Sequence, residues 1–459
     1  MNDHRAPMHD YTPEIEALAD DILAYAKDRV SLDPTPMGRS ASAEELFDAL
    51  GPTITADGIG SHRALKAFTD VLAPACLSVD NTRYLSFVPA APTEAAVLFD
   101  LVVGAESIYG GSWLEGAGAT YAENEALRWL CDLAGLGEQS GGVFVQGGTI
   151  GNLSALVAAR GAAEAKLRKR GRYRPDRWAF LVSDTAHSSV PSAAMVMDAD
   201  AIPVPTGPDR RLTGDLVAKA LDEYGDRIAG VVATAGSTNL GVIDDLASIG
   251  RVCNERDVFF HVDAAYGGAA LAAPKAQHLF DGIERADSVI IDPHKWLFAP
   301  FDCCALLWRD PDQARAVHAQ HAEYLEFLDI HGDWNPSDFA IQLTRRPRGL
   351  PFWFSLATYG TRTYGDAVQR TLDLAAEAAA KIEAAPNLRL AWEPGLSIVV
   401  FERIGWKEGD YQVCTERLLA DGTGFVVPSR HDGRPVFRFC FINPRTTSAE
   451  MDAILAAMA

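Results

Sequence analysis

The chain has 459 residues, enough for two or three domains around a large buried core. With 48% apolar and 22% charged residues, it has the balance of a soluble globular enzyme. Its net charge of −21, from 41 basic and 62 acidic residues, repels phosphate backbones and anionic lipid and argues against nucleic acid or membrane as partners.

At the N-terminus, Met1 to Pro7 lacks the apolar core of a signal peptide, and no run approaches the roughly 20 apolar residues of a membrane span. The seven cysteines form no Cys-x-x-Cys pair, so the sequence points to neither a disulfide framework nor a metal site. A reducing cytoplasm is the expected compartment. Thr12-Pro13-Glu14 reads as an N-cap, a proline at the first helical position and a first-turn acid. Ile15, Leu18, Ala19, Ile22, Leu23 and Ala26 follow at helical spacing, so one face of this helix needs a partner. Residues 31–61, rich in Pro, Gly, Ser and Thr, read as a strap over the surface or over a neighbouring subunit. The basic run 166–172 follows an alanine-rich helical stretch and reads as a solvated helix end.

From about Tyr84 to Arg309, short apolar runs alternate with helical stretches. The runs are 143–146, 178–182, 201–204, 228–233, 258–262, 288–291 and 304–308. Strands that are apolar throughout and separated by helices predict an α/β fold whose seven-stranded, mostly parallel sheet carries helices on both faces. Residues 352–459 mix helix and strand as a smaller α+β domain. They close on Thr447-Ser-Ala-Glu450, a capping box with Met451, Ile454, Leu455 and Met458 on one face behind it. The expected division is an N-terminal helix and strap over 1–80, a large domain over 81–320, a mobile active-site loop over 321–351 and the small domain over 352–459.

In such sheets ligands sit beyond the carboxyl ends of the strands. Three strand ends there carry chemistry. One runs into Gly147-Gly148-Thr149 and a helix start, where backbone N–H groups and the helix dipole favour an anion. Another ends in Asp263 and a third in His294-Lys295. An anion cradle, an acid and an amine suit a phosphorylated, nitrogen-containing carbonyl compound, and the cofactor of that description is pyridoxal phosphate. Lys295 among Pro, His and Trp is expected to be desolvated, with its pKa lowered and its amine free for Schiff-base chemistry. Asp263 is expected to be buried and to need a cationic partner.

Asp292-Pro-His-Lys-Trp296 followed by Phe301-Asp-Cys303, with His261-Val-Asp-Ala-Ala-Tyr266 upstream, resembles the group II pyridoxal phosphate decarboxylases. That family includes the aromatic amino acid and glutamate decarboxylases. The resemblance runs from about Tyr84 to Pro444 and implies a fold-type I enzyme, a homodimer with a shared active site, and a role for each matching residue. Lys295 forms the Schiff base, and Asp263 faces the pyridine nitrogen so that the ring can accept electrons. Ala265 lies under the ring, and His187, in Ala186-His-Ser-Ser189, stacks on its outer face. Gly148, Thr149 and His294 surround the phosphate, and Ser237 lies near the cofactor edge.

The sequence departs from the family at two places. Asp292 stands where members with aromatic substrates commonly have Asn; a carboxylate near a phosphate is repulsive unless it points away or pairs with a cation. Decarboxylating relatives use a loop tyrosine as proton donor, and no tyrosine occurs between Tyr324 and Tyr359. Trp334 and Phe339 fall where one is sought and carry no acidic proton, which leaves His331 or His187 as donors. Val88, Ala90 and Trp113 resemble pocket-lining positions of the aromatic branch, and Gly111, in place of a bulky aromatic, suggests extra room. The reading is decarboxylation of an L-amino acid, aromatic or large and apolar, to amine and CO2. Its rivals are oxidative decarboxylation to an aldehyde, decarboxylation of an acidic amino acid, a pyridoxal phosphate aminotransferase or lyase, and a non-catalytic scaffold.

Overall fold

The computed structural model describes residues 7–320 and 334–458. All seven expected strands form: β1 (Gly141–Val145), β2 (Ala179–Ser183), β3 (Asp200–Val204), β4 (Ile228–Thr234), β5 (Phe259–Asp263), β6 (Ser288–Ile291) and β7 (Cys304–Trp308). They make one sheet in the order β1-β7-β6-β5-β4-β2-β3. Strand β7 runs antiparallel to both of its neighbours, whereas β6-β5-β4-β2-β3 pair in parallel. Edge strand β3 carries Pro203, a residue a central strand would not tolerate because it lacks the N–H that a second neighbour would need.

Alternation along each strand divides the sheet between two cores. Phe144, Leu181, Val231, Phe260, Val289 and Leu307 pack on one face. Val143, Phe180, Val232, Phe259, Ile290 and Leu306 pack on the other. Burial on both sides explains why the strands read as unbroken apolar runs. Phe260 is 1% exposed, and trimming such a side chain to alanine costs about 3–5 kcal/mol.

The C-terminal part forms a four-stranded antiparallel sheet from β8 (Leu388–Trp392), β9 (Ile398–Arg403), β10 (Pro428–His431) and β11 (Arg434–Cys440), in the order β10-β11-β9-β8. Strand β11 serves two masters. Phe437 and Phe439 join Phe401, Tyr411, Met451 and Ile454 in the small core, while Val436 and Cys440 join the large one. The capping box at Thr447 and Glu450 is present, with Met451 and Ile454 buried behind it.

At the N-terminus, the Pro13–Ser31 helix begins as read, with the Thr12 hydroxyl accepting from Ile15 N at 3.3 Å. It buries none of its residues; Ile15, Ile22 and Leu23 stay exposed. Part of the segment expected to be a mobile loop is firmly packed. Ser337 N donates to Gly111 O, Gly110 N donates to Arg345 O, and the Trp334 ring stacks on Phe339 at 3.9 Å. Trp334 lies where a Cβ on Gly141 would collide with its ring, and Phe339 is 1% exposed, so both are packing residues beside β1. Residues 321–333, with His331, lie outside the described residues.

Candidate active site

Strands β1, β2, β4, β5 and β6 deliver their carboxyl ends to one edge of the sheet, and a continuous chain of contacts joins most of the expected site residues there. Lys295 sits in the short Pro293–Trp296 helix directly after β6. Its Nζ lies 2.9 Å from Asp292 Oδ2, a buried carboxylate. His294 Nε2 is 3.9 Å from the same oxygen, while His294 Nδ1 is 2.8 Å from the Cys303 carbonyl. The Gly148–Lys169 helix starts beside them. The N–H groups of Ile150 and Gly151 donate to Gly147 O at 3.0 Å, those of Gly148 and Thr149 have no acceptor within the helix, and Thr149 is exposed on that turn.

Asp263, at the end of β5, accepts from Ala265 N (3.1 Å, Oδ1) and from Asn152 Nδ2 (2.9 Å, Oδ2). The expected cationic partner is replaced by these two neutral donors: among the described residues no cation lies at ion-pair distance, and Lys295 acts on Asp263 only at longer range. Asn152 also donates to Ser189 Oγ at 2.9 Å, and Ser189 Oγ lies 2.8 Å from Nδ1 of the exposed His187. Ser237, buried after β4, has its hydroxyl oxygen occupied by Val242 N at 3.2 Å.

The electrostatics of Lys295 run opposite to the expectation. Burial pulls its ammonium down, but the Asp292 carboxylate, helped by Asp263 and Cys304, outweighs that and raises it above the usual lysine range. Asp292 mirrors this. Burial pushes its carboxyl up, and Lys295 with His294 more than compensates, leaving it below the usual carboxylate range. The extra carboxylate is thus paired with a cation.

The substrate-side residues are less unified. Val88 is partly buried against the large core. Trp113 opens the Trp113–Leu133 helix, its N–H held by Asn335 Oδ1 at 2.9 Å. Ala90 lines a 540 Å³ cavity with Thr93, Phe298, Phe301 and Tyr364, and neither Lys295, Asp263 nor His187 borders that cavity. Gly111 gives no extra room, because a Cβ there would collide with the Tyr109 hydroxyl: the tyrosine ring already fills the space.

Arg438 escaped the sequence reading. It lies on the face of β11 shared with Val436 and Cys440, 6% exposed, and its Nη1 donates to Phe87 O at 2.6 Å. Among the described residues, its Nε and Nη2 have no hydrogen-bond partner. A lone arginine in the apolar run Val436-Phe-Arg-Phe-Cys-Phe441 was the available signal. Asn152 and Ser189 also went unassigned, although Ser189 closes the Ala-His-Ser-Ser motif and Asn152 follows Thr149 by three residues.

The edge fits pyridoxal phosphate on its own terms. A Cβ on Gly148 would stand 3.1 Å from Asp292 Oδ2 and 3.5 Å from the Ala265 methyl, so a side chain there would crowd the cradle that glycine leaves open. Among the described residues, buried donors at Arg438 and the Thr234 hydroxyl, at the end of β4, lack hydrogen-bond partners. Fold and strand-end chemistry together define a pyridoxal-phosphate-dependent enzyme of fold type I.

Residues 60–404 match the pyridoxal-dependent decarboxylase conserved domain, and the chain belongs to that family. It is a pyridoxal-phosphate-dependent carboxy-lyase. An aromatic-L-amino-acid decarboxylase of Bacillus atrophaeus is 29% identical over 441 residues, covering 92% of this chain and 90% of that one. An L-2,4-diaminobutyrate decarboxylase of Acinetobacter baumannii is 28% identical over 388 residues, covering 80% and 76%. The crystal structure of Oryza sativa TDC with PLP and tryptamine superposes with a TM-score of 0.90 at 24% identity, over 98% of this chain and 99% of that one, a likeness of fold.

Proposed function

We propose that this chain decarboxylates an aromatic or large apolar L-amino acid to the amine and CO2. The observation that carries the proposal is the unbroken set of contacts from Lys295 through Asp292, whose N–H donates to Ala265 O at 3.0 Å, and on through Ala265, Asp263, Asn152 and Ser189 to His187. When bound, pyridoxal phosphate supplies an electron-accepting ring for the pair left behind as CO2 departs. The residues do the rest. Lys295 supplies the amine that holds the aldehyde carbon. Asp263, fixed by two donors, presents a carboxylate oxygen to the ring nitrogen and favours its protonated form. Gly148 and Thr149 offer first-turn N–H groups and a hydroxyl to the phosphate, with His294 alongside. His187 covers the outer ring face, and Ala265 leaves the inner face flat. Ser237 borders the cofactor edge. The unpartnered N–H groups of Arg438 suit a substrate carboxylate.

Support for an aromatic substrate comes from apolar Val88 and Trp113 and from the Bacillus atrophaeus relative. The diaminobutyrate relative is the reason to include amino and acidic side chains in the assay. The oxidative alternative rested on the want of a tyrosine after residue 324. His331, one of the two alternative donors, lies outside the described residues. We favour amine over aldehyde, with His187, held at Nδ1 by Ser189, as proton donor.

We assign residues 81–320 to the cofactor-binding domain and 352–459 to the small domain. The Pro13–Ser31 helix and the strap go to a homodimer interface, which would cover the exposed Ile15, Ile22 and Leu23. No helix among the described residues is long and apolar enough to cross a membrane, and the cytoplasm remains the proposed compartment. The test is product analysis of CO2, amine, aldehyde, ammonia and peroxide over a panel of aromatic, aliphatic, acidic and diamino acids. Amine with stoichiometric CO2 from an aromatic substrate is expected. Transamination without CO2, or no turnover of any aromatic amino acid, overturns the proposal. Lys295→Ala should abolish both turnover and the visible absorption of bound cofactor.

A further inference from the structure

Asn152 is completely buried in the first turns of the Gly148–Lys169 helix, and all three of its amide bonds are spoken for. Its Nδ2 hydrogens go to Asp263 Oδ2 and Ser189 Oγ, both at 2.9 Å, and its Oδ1 lies 2.8 Å from His261 Nε2. A carboxylate only accepts, so the nitrogen must face Asp263, and the amide orientation follows. His261 then carries its proton on Nε2, leaving Nδ1 to accept from the Ser288 hydroxyl at 2.8 Å. Burial holds this imidazole down to about 4, hence neutral. At the other end, Ser189 receives a hydrogen from Asn152 and gives its own to His187 Nδ1 at 2.8 Å. Ser189 N also points at that nitrogen, at 3.2 Å. With two donors on Nδ1, neutral His187 carries its proton on Nε2, the nitrogen left for the cleft.

We propose that Asn152 is a positioning residue that sets Asp263 and His187 together through a single amide. One hydrogen fixes the carboxylate oxygen opposite the ring nitrogen; the other, relayed by Ser189, fixes the tautomer and tilt of the imidazole over the ring. His261 and Ser288 lock the amide from behind. The inference rests on the placement of the cofactor ring between Asp263 and His187 proposed above. It adds that the two faces of the site are not independent: losing the amide loosens both, whereas losing Ser189 loosens only the histidine.

Ser189→Ala and Asn152→Ala separate these effects. The dissociation constant of pyridoxal phosphate is read by fluorescence quenching of the cofactor-free protein, and kcat and KM are read with the amino acid that gives most CO2 in the panel above. For Asn152→Ala, the dissociation constant should rise about 10–100-fold, the range for removing a hydrogen bond to a charged group, and kcat should fall as well. For Ser189→Ala, the dissociation constant should stay within about threefold of wild type while kcat falls about tenfold at unchanged KM.

A role in folding alone would weaken cofactor binding and turnover in parallel in both variants, and that result overturns the proposal. So does an unchanged dissociation constant in Asn152→Ala. Should Asn152→Ala not fold, the isosteric Asn152→Asp places a second carboxylate against Asp263, with His261, among the described residues, the other titratable group hydrogen-bonded to it. Its cofactor binding should then weaken from pH 6 to 8.5 relative to wild type, and a pH-independent ratio overturns the coupling. Wild-type protein that binds no pyridoxal phosphate would sink the site assignment itself. Wild-type binding with variants that fail to separate sinks the amide coupling alone.

Discussion

Replacing Asp292 with asparagine removes the anion that keeps Lys295 charged. At 2.9 Å, two unit charges attract by about 6 kcal/mol at an effective dielectric of 20. Removing one partner of a buried pair costs about 3–5 kcal/mol in measured cases. Asp292 is 2% exposed, so water does little to replace it, and Lys295 is relieved of the cost by shedding its proton. Each 1.4 kcal/mol of that relief is a tenfold gain in neutral amine. Only the neutral amine attacks an aldehyde, so cofactor-free Asp292→Asn protein should capture pyridoxal phosphate at pH 7.5 at least about tenfold faster than wild type. The rate should also level off at lower pH. Stopped-flow absorbance after mixing protein with cofactor reads both. Superimposable pH–rate profiles for the two proteins would refute the argument, because they would mean that Asp292 does not control the proton on Lys295.

The same pair sets a stability window for the cofactor-free protein. The raised lysine contributes fully below its ordinary 10.5 and loses its contribution as pH climbs through its folded value; the lowered carboxyl contributes above its ordinary 3.8 and loses it as pH falls through its own. The denaturation midpoints of wild type and Asp292→Asn should therefore lie furthest apart in mildly acidic solution, and draw together both toward acid, where Asp292 is protonated, and toward alkali, where the variant's Lys295 sheds its proton first. His318 adds acid lability: burial, only partly offset by the Ser154 carbonyl, takes it to about 4. Between its ordinary 6.5 and that value, the unfolded chain binds a proton that the native one refuses, and stability drops by about 3 kcal/mol as pH falls. His318→Gln, which retains a donor for Ser154, should flatten that part of the urea-midpoint profile between pH 7 and 5. Arg345→Ala strands the buried carboxylate of Glu123, with which Arg345 pairs at 2.8 Å, and should cost about 3–5 kcal/mol by urea denaturation; a loss below 1 kcal/mol would show that the pair is not the anchor of this segment.

The strands were legible because burial on both faces leaves little room for polar residues, so β1 to β7 appear as apolar runs at nearly their observed bounds. Lys295, Asp263 and Gly148 were legible because their chemistry is local to strand ends. What depended on contacts across the fold was not. The hydrogen bonds of Asn152 reach residues 37 and 111 positions away, and nothing in its own helix announces them. The direction of the Lys295 shift was misjudged although Asp292 stands three residues before it, on the same turn, because burial was weighed without its counter-ion. Gly111 looked like vacant space because a missing side chain says nothing about which neighbour folds back to fill it, here Tyr109. Trp334 and Phe339 were counted with a loop, yet their stacking pins them beside β1.

Strand β11 sends alternate residues into two different interiors, and this makes the C-terminal unit unseverable. A chain cut before Arg434 would lose Phe437 and Phe439 from one interior and Val436 and Cys440 from the other, and with them the Arg438 bond to Phe87 O. Neither half is then a candidate for expression alone, and a twist of the smaller sheet would carry the Arg438 guanidinium with it. The smaller interior and the larger one are, in this protein, tied together through the same seven residues.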